Sequence, residues 1–127
     1  MSDQKNLPWF LKAAMPVLLF ACAIANLAGA WRQMRQSKLT NAQSMVESID
    51  TYCFLYAFDR GEYPKSLDDL VNYSRFQDAR RDANFSDPWG NRIQYDPTGP
   101  RNDGVKPDIW TTNPSGKIIG NWQRRSD

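Results

Sequence analysis

Residues 13–30 read AAMPVLLFACAIANLAGA, and Leu39, Ala42, Val46, Ile49, Cys53 and Tyr56 then recur at steps of 3, 4, 3, 4 and 3. An uncharged run of that length is just enough to cross a hydrocarbon core as a helix. The 3–4 alternation after it is the stripe of an amphipathic helix. No Pro or Gly stands between Gly29 and Gly61, so the two stretches are expected to join in one helix from about Pro8 to Phe58, roughly 75 Å long. Trp9 and Trp31 bracket the apolar run. Their separation of roughly 33 Å along a helix matches one hydrocarbon core and suits the aromatic belts at the two membrane interfaces. Lys12 can snorkel to the near interface, and Pro16 and Asn26 are tolerated where a neighbouring helix supplies partners. The chain thus divides into a tail and transmembrane helix (1–31), an amphipathic continuation (32–60) and a small α+β domain (61–127).

Two other readings of the N-terminus fit less well. A cleaved signal peptide would use Lys5 and Lys12 as its basic region, but apolar sequence continues past any plausible cut. Leu19-Phe20-Ala21-Cys22 loosely resembles a lipobox, although Phe20 is atypical there and a lone Cys in an apolar helix is more often plain packing.

The chain has 127 residues, no histidine, and 16 Lys plus Arg against 14 Asp plus Glu. Without His the usual general base and the commonest metal ligand are missing. No G-x-S-x-G or glycine-rich phosphate loop is present, and neither Cys has an activating neighbour, so an enzyme is not expected. A net charge of +2 with the signs interspersed is not the clustered basic face of a nucleic-acid binder. No small-molecule substrate is indicated. Cys22 and Cys53 would lie roughly 46 Å apart on one helix, too far for an intrachain disulfide.

Beyond the helix, Asp59-Arg60-Gly61 is a stop signal, and Tyr63-Pro64 forces an extended step. Ser66 and Asp69 form a capping-box pattern for a short helix over roughly Leu67 to Tyr73, with Leu67, Leu70 and Val71 buried. Phe76 to Ala83 reads as a solvated charged segment. Asp87-Pro88-Trp89-Gly90-Asn91 is a turn in every residue type. It leads into a strand at Arg92–Tyr95, followed by a second at Asp108–Thr112 and, after the Asn113–Gly116 turn, a third at Lys117–Ile119. The resulting antiparallel sheet is expected to set Ile93, Tyr95, Ile109, Trp110 and Ile118 against the stripe of the long helix. Packing of the stripe on neighbouring subunits is the alternative. Trp89 is expected to sit in the core, so that truncation to Ala costs about 3–5 kcal/mol.

Tyr63-Pro64 after a long helix, then Asp87-Pro88-Trp89-Gly90-Asn91, Asp108-Ile109-Trp110 and a closing Gly120-Asn121-Trp122, together resemble the major pseudopilin of bacterial type II secretion systems. The resemblance covers roughly residues 29–122. It implies a pilin-like fold, a long N-terminal helix with a membrane-inserted first half packed on a small antiparallel sheet. It also implies a structural role in assembly, with other membrane or pilin-like subunits as partners.

Two departures accompany it. The family's Gly-Phe-Thr-Leu-x-Glu cleavage motif should fall near Leu7 to Lys12, where the chain has Leu-Pro-Trp-Phe-Leu-Lys. Peptidase processing and ordinary filament assembly are therefore not expected to follow the family pattern. The family's acidic, calcium-binding stretch before the closing G-N-W is reduced to Thr111–Ile119, which has no carboxylate. Asp96, Asp103 and Asp108 are the nearby carboxylates, read as turn or surface residues, and no cofactor is expected. The positive-inside count sets Lys5 and Lys12 against Arg32, Arg35 and Lys38 and slightly favours a cytoplasmic C-terminus. The resemblance places the N-terminus in the cytoplasm and the sheet domain in the periplasm of a bacterial inner membrane, and that orientation takes precedence. The alternative to a secretion or pilus-like machine is a permanently anchored accessory subunit of another membrane complex that reuses the fold.

Overall fold

In a computed structural model that describes residues 8–73 and 85–123, helix α1 runs from Trp9 to Arg60. The chain forms two units, Met1–Ser37 and Lys38–Asp127, and α1 contributes to both. In the first unit every described side chain is exposed except Ala14, which is half-buried.

The second unit begins with the stripe. Ala42, Val46, Ile49 and Cys53 are the buried residues of α1, while Leu39 and Tyr56 are half-buried at the two ends of the pattern. Val46, Ile49 and Cys53 share one core cluster with Leu67, Leu70, Tyr73, Phe85, Ile93 and Ile109. The helix stops because Gly61 adopts a left-handed φ of 81° and donates its N–H to the Ala57 carbonyl at 2.8 Å, a closure that glycine makes without a Cβ penalty.

Helix α2 (Asp68–Val71) is a single turn, shorter than the sequence suggests, and one of its expected buried residues is not buried. Val71 is 43% exposed, whereas Leu67, Leu70 and Tyr73 are buried. The backbone explains this. Leu70 N–H donates to Leu67 O and Tyr73 N–H to Leu70 O, a three-residue repeat that brings positions i and i+3 onto one face and turns Val71 away. Of the capping box only the return half forms, with Asp69 Oδ2 accepting the N–H groups of Lys65 and Ser66 at 2.9 and 3.0 Å. The segment Phe76–Ala83 lies outside the described residues.

The sheet has strands β1 (Gln94–Asp96), β2 (Asp108–Thr112) and β3 (Ile118–Gly120) in the order β1-β2-β3, antiparallel throughout. Arg92 precedes β1 and makes only an isolated bridge to Ser86. Tyr95 pairs with Ile109 and Thr111 with Ile119. Because side chains alternate across a strand, Tyr95, Ile109, Thr111 and Ile119 share one face. Trp110 and Ile118 therefore belong to the opposite face, which corrects the expectation that they line the core beside Ile109. The outer edge of β3 is closed by one side chain, Gln123, which donates to Ile118 O at 3.1 Å and accepts from Gly120 N–H at 3.3 Å. Such covering blunts an edge strand against unwanted pairing.

Candidate membrane and assembly surfaces

The conspicuous surface of the first unit is apolar. Within α1 an 18-residue window has a mean hydropathy of 1.9, none of it buried by the protein's own fold. Trp9 and Trp31 are both exposed. Cys22 is exposed as well, while Cys53 is buried in the second unit, and both are free thiols. Burial, and then the Asp50 carboxylate, push the Cys53 thiol up to about 12 against a smaller opposing effect of Tyr95. At neutral pH Cys53 is protonated and poorly reactive.

In the second unit, several signature residues form polar anchors. Asp87 is buried. Its Oδ1 accepts the N–H groups of Trp89 and Asn91, both at 2.9 Å, and its Oδ2 accepts the Thr111 hydroxyl from β2. The turn closes further through Asp87 N–H to Asn91 O and Gly90 N–H to Asp87 O. Burial raises the Asp87 carboxyl, but the hydrogen bonds from Thr111, Asn91 and Trp89 outweigh it and hold the group below the ordinary carboxylate range. Within this turn Pro88 and Trp89 are half-buried, while Gly90 and Asn91 are exposed. The position that locks the turn is therefore Asp87, and Trp89 is not a fully buried core residue. Trp89→Ala is expected to cost about 1–2 kcal/mol, below the cost of a full core truncation, as read from the urea midpoint of the full chain in detergent.

Asp108 is buried, not a surface residue. It accepts Arg101 N–H at 2.9 Å and Asn102 Nδ2 at 2.8 Å. Asn121 is the hub of the closing G-N-W. Its Nδ2 donates to Asp50 Oδ1 at 2.8 Å and to Pro107 O at 2.9 Å, and its Oδ1 accepts Asn102 Nδ2 and Ile109 N–H. Lys106 Nζ lies 2.7 Å from Asp50 Oδ2, so α1, the loop before β2 and the closing segment meet at one carboxylate. A Cβ at Gly120 would lie 2.5 Å from the far edge of the Trp122 ring, so a larger residue there would displace the indole. Trp122 in turn packs on Trp110, with ring centroids 6.0 Å apart, and the Arg101 guanidinium sits 4.5 Å from the Trp122 centroid. Tyr63 is half-buried and Pro64 buried; the Pro64 carbonyl accepts the Tyr95 hydroxyl at 2.5 Å.

Sequence reasoning named Asp87, Asp108 and Asn121 by their motifs but missed Asp50, Asn102, Lys106 and Thr111, whose partners are distant in sequence. It also missed Phe54 and Phe58, one helical turn apart and 60% and 77% exposed. Their spacing off the stripe is the signal that could have found them.

A helix with an apolar, membrane-length first part, whose later turns pack on a small three-stranded antiparallel sheet, defines the pilin-like class. The family model for type II secretion system (T2SS) protein G, the major pseudopilin, matches residues 30–123, and the chain belongs to that family. Curated proteins and solved structures give no match at a significant level. Membership carries a pseudopilin role in type II secretion, membrane association, and assembly with secretion subunits as the family's way of working.

Proposed function

We propose that the protein is a non-enzymatic, single-pass component of the bacterial inner membrane, with its N-terminus cytoplasmic and the Lys38–Asp127 unit periplasmic. It acts by assembly with other pseudopilin or secretion subunits. The observation that carries this reading is the bare apolar window of α1 in a chain of the protein G family. Apolar area of that extent is covered by lipid or by other helices, because water contact would cost about 25 cal/mol per Å². Nucleic acids and small molecules are not among the partners proposed.

No cofactor is included. Calcium takes six to eight oxygens, but Asp108 already accepts Arg101 and Asn102. The Asp50 oxygens are taken by Asn121 and the Lys106 ammonium.

A second reading, an accessory subunit anchored once in another complex, is favoured by one feature. The first turn of α1 has no acidic residue and contains Lys12, where the family's assembly glutamate is implied. A photocrosslinker attached through Cys22 in native membranes separates the two. Assembly of like subunits is expected to give a ladder of copy-to-copy adducts, absent in Cys22→Ser and retained in Cys53→Ser. A single adduct to an unrelated protein, with fixed stoichiometry by intact mass, would replace the first reading with the second.

A further inference from the structure

We propose that Arg32 and Arg35 form a binding surface for the phosphate groups of anionic phospholipids, in the leaflet that meets the C-terminal end of the apolar segment. The inference rests on the membrane reading above and goes beyond it by naming a lipid chemistry.

Four observations carry it. The first is position, because Arg32 follows the interfacial Trp31 directly and Arg35 comes three residues later. That spacing places both on one side of α1, about 4.5 Å apart along its axis, and both side chains are exposed. The second is the absence of an acidic counterpart among the described residues of the first unit, since none of residues 8–37 is Asp or Glu. The residues around the pair, Gln33, Met34, Gln36 and Ser37, are neutral. The third is topology. In the orientation proposed, the pair stands on the periplasmic side, where the positive-inside rule supplies no reason for cations. The fourth is the choice of arginine, whose planar fork engages a phosphate through two parallel N–H···O bonds and is less strongly hydrated than an ammonium.

Anionic headgroups at the level of Trp31 would meet this pair as soon as the segment is inserted. The test uses the full chain reconstituted in phosphatidylcholine vesicles with and without phosphatidylglycerol. Association of spin-labelled phosphatidylglycerol is compared with that of spin-labelled phosphatidylcholine. Quenching of Trp9 and Trp31 by brominated acyl chains reports insertion separately. The expected result is a roughly tenfold preference for the anionic lipid that weakens with salt. In R32Q/R35Q that preference falls close to parity with quenching unchanged, and in R32K/R35K part of it remains. An inserted wild-type chain without preference, or a preference that R32Q/R35Q keeps, overturns the proposal and leaves the membrane reading standing. Loss of the preference only when an acidic subunit is added overturns it in favour of a protein contact. Failure of brominated lipids to quench either tryptophan removes the membrane reading and this proposal together.

Discussion

Ile49→Asp is expected to unfold the Lys38–Asp127 unit of the chain at neutral pH. Ile49 is buried in the stripe of α1 and belongs to the cluster formed with Leu67, Leu70, Ile93 and Ile109. An aspartate there places an uncompensated carboxylate among apolar side chains, a penalty of several kcal/mol even after relaxation. That is comparable with the whole stability of an ordinary domain, about 5–15 kcal/mol. Two controls locate the cause. Ile49→Val should cost only about 0.5–1.5 kcal/mol. Thr51→Asp, two residues away on the exposed side, should stay within about 0.5 kcal/mol. The measurement is urea denaturation of the full chain in detergent, followed by near-UV circular dichroism. An unchanged midpoint for Ile49→Asp would mean that this face is available to another subunit and that its packing on Leu70 and Ile109 contributes little.

The second large effect is at Asp87. Asp87→Ala removes one carboxylate that accepts the Thr111 hydroxyl and the N–H groups of Trp89 and Asn91. Hydrogen bonds to a charged acceptor contribute about 1.5–3 kcal/mol each, and unpaired buried donors carry their own penalty. Water can reach the two backbone donors in part, so the expected loss is about 4 kcal/mol rather than the full sum. The same carboxylate has a pH signature. Its proton affinity is lowered in the folded state, so the unfolded chain binds a proton at higher pH than the folded one does. The stabilisation is therefore complete above the ordinary carboxylate range and is lost as pH falls through the lowered folded value. Asp87→Asn should lose part of the stability at neutral pH and flatten the acid limb of a plot of Tm against pH. A variant whose acid limb matches the wild type would show that the acid sensitivity arises from other carboxylates.

How much of this could be read in advance varied from residue to residue. The stripe from Leu39 to Tyr56 and the turn at Asp87–Asn91 are local patterns, and a period or a turn composition is complete within a few residues. The same holds for the stop at Gly61. The extents of α2 and β1 were less legible, because a single helical turn and a three-residue strand carry too few residues for periodicity to fix their ends. The apolar character of Val71 and Trp110 points to the core, and the backbone decides against both. A three-residue hydrogen-bond repeat rotates Val71 outward, and strand alternation puts Trp110 opposite Ile109, against Trp122 and Arg101. The alternation at Trp110 is present in Asp108-Ile109-Trp110 itself; the size of the indole obscured it.

By itself, then, the order of residues determined the apolar length of α1, its amphipathic continuation, the turns and the family to which the chain belongs. Each of these is set by neighbours in sequence or by a motif read in order. Only the tertiary structure decided which polar groups hold the second unit together. Asn121 reaches Asp50 across 71 positions of chain, Lys106 reaches the same carboxylate across 56, and Thr111 reaches Asp87 across 24. Those partners are chosen by strand register and by how α1 seats on the sheet. A buried or half-buried carboxylate then has to satisfy its oxygens with whichever donors that register brings within about 3 Å.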